Sequence, residues 1–506
     1  MTPEFFGSPR AVAAAGSSSH SGTAAHALRS FAIGAGIAVS LLFVIVGIRY
    51  QMQMYADGSL FSYAVAVQDG WAFHCHNIAG RLAVYLFAFA PAQAYIGVTH
   101  DVHGGVALYG FLFFVLQFLG LIATFVADRS RNRLIFTYAC VSTAVLCPLV
   151  FGFPTEVWMM HALFWPTLAA CHFAPRTAGG AVTIFGLMLA MAFTHAGAQI
   201  SIGAILATLA LRGWHDPLLR RGVKAFALVL LLWVSVKLTL RPDDYTAAVL
   251  ARAALHVFDP AILTGPLMRL FLAALASYTA ALLILRRCKV ALAHVYAAAL
   301  VAGALAVYWL YFDSALHADN RYYMRTVLLV ATPALGMLAA AHVLAEGGHR
   351  LVVTFPLRVV AALTSDAMAR AVAGALALVI LVHAIETEKF VRVWSSYQSA
   401  VRTLAMGSAS DPAIGSPQFV SSDRISGSLN RVSWFSTTLF LSVLLAPKLE
   451  PARLVINPRA NYFWLSCETA TENLEAPRAM PPAARELVRL YSCQHRWRRA
   501  TSPPKH

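Results

Sequence analysis

Apolar runs of near-membrane length recur along the chain, separated by short polar connections. They fall near 31–48, 106–127, 134–152, 156–173, 179–195, 198–212, 225–240, 266–285, 290–312, 324–345 and 370–387, eleven in all, the sixth and seventh being the shortest. A helix needs about 20 mainly apolar residues to cross the hydrocarbon core, so the pattern predicts a bundle of membrane helices. Between the first and second runs lies a longer stretch, 49–104, with two amphipathic segments, Leu60–Val67 and Leu82–Tyr95, the second interrupted by Pro91. Too few apolar residues stand in either for an unstrained crossing, and both are expected to lie on the membrane surface. Residues 1–30 are rich in Ala, Ser, Gly and His without hydrophobic periodicity, which predicts a disordered tail. No small-residue cleavage site follows the first apolar run, so the start does not read as a cleaved leader. From 388 to 506 the chain turns polar. Its one apolar run, Trp434–Pro447, is too short to cross and predicts a buried strand or helix of a small domain.

Composition agrees with a polytopic membrane protein: 59% of the 506 residues are hydrophobic and only 12% charged. The net charge of +16 does not call for nucleic acid, because the basic residues are dispersed between apolar runs and cytoplasmic loops of membrane proteins are basic. With the N-terminus inside, the inner connections hold sixteen Lys and Arg and the outer ones six. That bias predicts a cytoplasmic N-terminus in an inner membrane, with loop 49–104 and, by the odd number of spans, the C-terminal region on the periplasmic side. Of seven cysteines, Cys140, Cys147, Cys171 and Cys288 sit in or beside apolar runs as small apolar thiols; Cys75 lies in the first loop. Cys467 and Cys493 stand in the tail, where a periplasmic disulfide and two reduced thiols are both open. No cysteine or histidine spacing of a zinc site occurs.

Asp57 falls nine residues beyond the first apolar run, where a carboxylate meets both water and lipid headgroups. After it come the segment around Phe61 and Tyr63, the turn Asp69-Gly70-Trp71, a second amphipathic segment after Arg81, and the second membrane run. This order resembles the start of the GT-C superfamily, integral-membrane glycosyltransferases that use lipid-linked sugars, and the resemblance is one of layout over roughly the first 130 residues. Many members carry two adjacent acids where this chain has Ala56-Asp57-Gly58, a single acid. The resemblance implies transfer of a sugar from a polyprenyl-phosphate donor to an envelope glycan or lipid acceptor, with inversion at the anomeric carbon and Asp57 as the base.

Each candidate residue has a plainer role beside the chemical one. Asp57 can take the proton of an acceptor hydroxyl, or cap the following helix as the first residue of Asp57-Gly58-Ser59. Glu156, with His161 beyond it, can position the acceptor, or complement a helix dipole after Thr155. Asp57 and Glu156 would be the ligands if the reaction uses a divalent cation such as Mg²⁺ or Mn²⁺. Arg321 and Tyr322 are similar to an Arg-Tyr pair found before a late span in this superfamily, where the basic residue lies near the lipid phosphate; both also serve as headgroup-level anchors. Arg241, Arg252 and Lys237 can share that phosphate role. His195 and Gln199 would line the same cavity or simply face neighbouring helices. His74 and His76 lack a third metal ligand in reach and read as a polar surface turn. Asn461-Tyr462-Phe463-Trp464 can stack on a sugar or fill a small core.

The expectation is therefore an all-α polytopic membrane protein of about eleven transmembrane helices, GT-C-like, with a small C-terminal extramembrane domain: 1–30 a tail, 31–387 the membrane domain, 388–506 the outer domain. Two other classes compete. A transporter or flippase would show similar halves and polar groups at mid-bilayer. A non-catalytic scaffold subunit would keep the fold and use the tail for partners.

Overall fold

The computed structural model describes residues 21–68, 70–71, 81–153, 155–239, 318–347, 366–407, 418–434 and 437–456, with isolated helical positions between 251 and 303. Expected runs 266–285 and 290–312, most of the tail with Cys467 and Cys493, and Cys75 and Cys288 lie outside the described residues. What is described is a helical bundle: α1 Ser21–Arg49, α2 Asp57–Ala66, α3 Leu82–Thr99, α4 Val102–Ala127, α5 Leu134–Leu146, α6 Glu156–Phe173, α7 Ala178–Ala192, α8 Ala198–Ala210, α9 Pro217–Thr239, α10 Ala318–Glu346, α11 Asp366–Met406 and the short α12 Thr438–Leu444. Seven of these elements are long and apolar enough to cross a membrane, and α7 and α8 are shorter apolar helices. The first helix begins at Ser21, so the last residues of the expected tail are helical.

Close helix contacts are made through small residues, as bilayer packing favours. A Cβ at Gly36 of α1 would meet the Cys140 backbone of α5 at 2.5 Å, and one at Gly120 of α4 would meet the carbonyl of Ala162 of α6 at 2.5 Å. The connection 127–133 is locked from within: the buried Asp128 carboxylate accepts the backbone N–H groups of Ser130 (2.8 Å) and Phe136 (2.9 Å). The three arginines of this turn therefore hang on a fixed corner.

α3 has the length and apolar content of a span, against the expectation of a surface helix. Its contacts set it at one end of the bundle all the same. Phe89 meets Tyr109 edge-on at 5.1 Å, a Cβ at Gly105 would strike Ile96, and Ala83 N–H donates to the carbonyl of Phe193 at the end of α7. The helix thus runs against only the opening turns of α4, through a corner made by left-handed His100 (φ 57) and the Asp101 N-cap. A π-helical stretch, Tyr85–Phe89, precedes Pro91, where the ring prevents a regular hydrogen-bond ladder.

α11 changes the expected domain border. No break occurs at 387; the helix runs on to Met406, 41 residues in all, about 60 Å, or twice the hydrocarbon thickness. Its first half packs in the bundle, with His383 Nε2 donating to the carbonyl of Val145 (2.8 Å). Its second half leaves the bundle beside residues 50–55, where Trp394 Nε1 donates to the carbonyl of Tyr50 (3.1 Å). Chain 418–456 then folds back upon it: β1 Gln418–Ser421 pairs in parallel with β2 Arg453–Ile456, Gln418 opposite Arg453. Between the strands, the apolar run from Trp434 supplies α12, wholly buried and packed on α2 through Phe440 against Tyr63 (5.2 Å).

Because α12 lies on α2, the loop after α1 and the C-terminal unit lie at one end of the bundle, and the arginine turn 129–133, at the far end of α4, lies away from them. In a background with Cys75, Cys288, Cys467 and Cys493 replaced by Ser, an impermeant maleimide should label Gln68→Cys and Ser428→Cys together from the outside. Asn132→Cys should react only after permeabilisation. Opposite accessibility of positions 68 and 428 would contradict the packing.

Candidate functional site

Where α1 ends, the backbone turns sharply. Gln51 is left-handed (φ 52), Met52–Met54 forms one 3₁₀ turn, and Ala56 adopts φ 52 and ψ −130, a conformation an L-residue holds only when its surroundings impose it. The surroundings are specific. Ser59 Oγ donates to the carbonyls of Met54 (2.7 Å) and Ala56 (3.2 Å), and Ser62 Oγ to that of Gln53 (3.1 Å), so α2 holds the turn that precedes it. Tyr55, fully buried, meets Phe390 (4.8 Å) and Trp394 (5.4 Å) edge-on, which joins the turn to α11.

Asp57 is the first residue of α2, not its cap. The cap position belongs to Ala56, and no side chain caps the helix. The capping role considered for Asp57 is therefore absent, and its carboxylate, at the positive end of α2, is directed to other groups. It lies within interaction range of Trp434, Glu156, Arg325 and Arg81. Glu156, in the first turn of α6, is buried and forms an ion pair with Arg81, which stands just before α3. His195, in the turn between α7 and α8, is within range of Glu156, Arg81 and Arg325, and Tyr109 of α4 is within range of both acids. The turn at His195 sets its tautomer: the N–H of Gly197 donates to Nδ1 (3.0 Å), which leaves Nε2 as the ring's N–H. Burial, with the two arginines, keeps this ring neutral, its pKa lowered to about 4 despite Glu156. Gln199, one turn further, has both amide atoms buried and without hydrogen-bond partners.

Five sequence-distant segments thus converge, bringing two carboxyls, two guanidiniums and a neutral imidazole to one end of the bundle. Asp57 keeps part of its surface accessible, but protein surrounds the carboxyl closely enough that burial, followed by the charge of Glu156, pushes it up to about 6; Arg325, Arg81 and the Trp434 indole oppose the rise. A carboxylate whose pKa lies near neutrality is a better proton acceptor than an ordinary one, while still ionised in most molecules at pH 7.

Of the residues expected to form the site, the structure brings together Asp57, Glu156 and His195. It does not bring His161, which is sealed inside the bundle: Nδ1–H donates to Gln117 Oε1 (2.9 Å) and Nε2 pairs with Ser142 Oγ (2.7 Å). His161 ties α4, α5 and α6 together, a packing role. Lys237 lies over the Trp233 ring at the end of α9 (5.7 Å). Arg321 and Tyr322 belong to the first turns of α10, but their side chains lie outside the described residues, as do Arg241, Arg252, His74, His76 and the segment 461–464. Arg325, one turn beyond Arg321, lies within electrostatic range of Asp57; its i, i+4 spacing from Arg321 is the signal that would have found it. Arg81 was legible only as a lone cation before an apolar segment, and Trp434 had no signal beyond an apolar run.

The donor set does not suit a divalent cation. Glu156 is already engaged by Arg81, and the positive charges of Arg81 and Arg325 already act on Asp57, which disfavours a further cation beside it. Among the described residues, no group of three or more His, Cys, Asp or Glu side chains is placed to hold a metal ion. The same set suits an anion such as phosphate, which guanidiniums bind bidentately. The chain matches no protein-family model, no curated protein and no solved structure.

A raised carboxyl carries a stability signature. The folded chain favours protonated Asp57, so this group's contribution is fully present below about pH 4 and is lost as pH rises through about 6. A displacement from 3.8 to about 6 amounts to about 2–3 kcal/mol against the ionised fold. Asp57→Asn should accordingly melt higher than the parent at pH 7.5, and the difference should shrink towards pH 4 in a thermal-shift series. A constant difference, or a variant less stable at pH 7.5, would show that the carboxyl is not held in a desolvated place.

Proposed function

We propose that this chain is a membrane glycosyltransferase of the GT-C kind that moves a sugar from a polyprenyl-phosphate donor to an envelope glycan or lipid acceptor, on the periplasmic side of the inner membrane. The observation that carries the reading is the convergence of a carboxyl of near-neutral pKa with two arginines at a single end of a helical membrane bundle. Asp57 is the general base, and Arg325 with Arg81 are the phosphate partners. The layout of the first 130 residues supports the same assignment, as does the charge bias that turns this end outward.

The reaction follows from these roles. An acceptor hydroxyl attacks the anomeric carbon, and its proton passes to the Asp57 carboxylate as the new C–O bond forms. The bond from the anomeric carbon to the phosphate oxygen breaks with its electron pair, so the polyprenyl phosphate leaves with added negative charge and the sugar is inverted. Arg325 and Arg81 offset that charge as it develops, and they need no reorganisation because their positions are held by helices. The N–H at His195 Nε2 and the unpartnered amide of Gln199 are neutral groups that suit sugar hydroxyls.

A transporter would need no base, and here the assignments separate. Comparing lipid-linked sugars and envelope glycans of cells with and without the gene should reveal an accumulated donor and a lost glycan. Asp57→Asn should reproduce that pattern, with turnover in membranes lowered about 10²–10⁴-fold and donor binding retained. Arg325→Ala should weaken donor affinity together with rate, and Arg325→Lys should recover only part, because a single ammonium lacks the bidentate fork. A fully active Asp57→Asn chain would remove the glycosyl-transfer assignment.

A further inference from the structure

A cavity of about 580 Å³ opens between α1 and α11, a size ordinary for a small-molecule site. We propose that it binds one zwitterionic phospholipid whose headgroup carries a primary ammonium, as phosphatidylethanolamine does, with an acyl chain laid between the two helices. This lipid is distinct from the sugar donor, and the inference does not rest on the glycosyl-transfer reading.

The first support is shape. The walls run from Val39 to Tyr50 on α1 and from Ile380 to Ser396 on α11, which at 1.5 Å per residue is about 17 and about 24 Å. One leaflet supplies about 15 Å of hydrocarbon and about 6 Å of headgroup layer, so the groove is as long as one lipid in one leaflet. Its deep end is apolar: Val39, Ala144 and Ile380 close it, packed with Ala32 and Leu376. Leu42 and Val46 line the middle from α1, and Ala384 from α11. His383, at the same depth, is tied to the bundle by the bond from Nε2 to the carbonyl of Val145 (2.8 Å).

The second support is the chemistry of the shallow end, where Tyr50, Glu388, Arg392, Ser395 and Ser396 line the cavity. Between Arg370 and Glu386, α11 has no Asp, Glu, Lys or Arg, and α1 ends at Arg49, so both helices place the membrane boundary at this level. Arg392 donates to Glu388 from Nε (3.0 Å) and from Nη2, and both bonds end on the same oxygen, Oε1. Glu388 Oε2 and Arg392 Nη1 are left without partners among the described residues. The two side chains together are neutral, and each matches one charge of a zwitterion: the guanidinium takes the phosphate, the carboxylate takes the ammonium. A headgroup of net negative charge would meet repulsion at Glu388. A quaternary ammonium would have no N–H to give it.

The groove also adjoins the contacts that fix the turn before Asp57. Phe390 and Trp394, on the neighbouring face of α11, hold the Tyr55 ring and the Tyr50 carbonyl. A chain filling the space between α1 and α11 supplies dispersion contacts to both helices, so an occupied groove holds that pair more firmly than an empty one.

The test uses the full-length chain in lipid nanodiscs and two photoactivatable phospholipids with the same diazirine-bearing acyl chain, one with an ethanolamine and one with a glycerol headgroup. After irradiation, peptide mass spectrometry should find the ethanolamine probe on 39–50 and 380–396 about tenfold more often than on the exposed apolar side chains Leu119, Ile122 and Phe125 of α4. At the groove it should also exceed the glycerol probe about tenfold, the size expected of one hydrogen bond to a charged group. Glu388→Gln should make the two probes label alike, with little change in melting temperature because the ion pair is exposed. Ala384→Trp should fill the groove and remove labelling of 380–396 by either probe. Labelling no stronger than on α4, equal labelling of the parent by both probes, or an ethanolamine preference that survives Glu388→Gln would overturn the proposal. Displacement of the probe by an equimolar amount of polyprenyl phosphate would overturn it too, and would give the groove to the donor's lipid.

Discussion

Everything at the Asp57 end depends on balancing two carboxyls in a place with little water. Glu156 is buried and Asp57 partly so, and the charge of Glu156 makes Asp57 harder to ionise. Left alone, such a pair would be protonated or would open to solvent, since isolated buried charges cost several kcal/mol. Arg81 and Arg325 change the balance, but unequally. Arg81 is in direct contact with Glu156, whereas Asp57 receives help from both cations without a direct ion pair. One acid is thereby fixed as an anion partner, and the other remains adjustable. That inequality is what separates a structural ion pair from a group able to exchange a proton.

The rest of the fold can be read as what is needed to bring these groups together from distant parts of the chain. Asp57 follows a strained turn that α2 itself braces; Glu156 opens α6, Arg325 lies near the start of α10, and His195 sits in the α7–α8 turn. Every one is at a helix end or a connection, where backbone direction changes and polar groups meet the aqueous boundary. Deeper in the bundle the polar residues have different work. His161, Gln117 and Ser142 satisfy one another and pin three helices, as bilayer interiors require of any polar side chain they admit.

The sequence was legible where one physical signal dominates. Apolar runs marked most of the helices, and Asp57 and Glu156 were visible because acids beside apolar runs are costly and seldom incidental. Legibility failed where two signals competed. Leu82–Thr99 has the length of a span and the interruption of a surface helix, and only its contacts with residues 105 and 109 show where it lies. The border expected at 387 rested on a change from apolar to polar residues, but helix propensity does not end with hydrophobicity: Glu386–Lys389 and Glu388–Arg392 pairs carry α11 onward through water-facing turns. Arg325 was marked by nothing beyond its i, i+4 spacing from Arg321, and only the fold puts it within range of Asp57.

Trp434 marks the limit of such reading, and the reason is physical. An aromatic residue at the edge of an apolar run is ordinarily core, and nothing local distinguishes one that packs on Phe153, in the connection leading to Glu156. The distinction is made by α12, which is too short to be stable alone and gains its order from α2, α11 and β2. A segment that depends on the site-bearing helix for its own stability will dissociate if α2 moves, and α2 loses a wall if the segment leaves. Folding of the C-terminal unit and the seating of α2 are therefore coupled, so the protein's far end helps to hold the helix that carries Asp57.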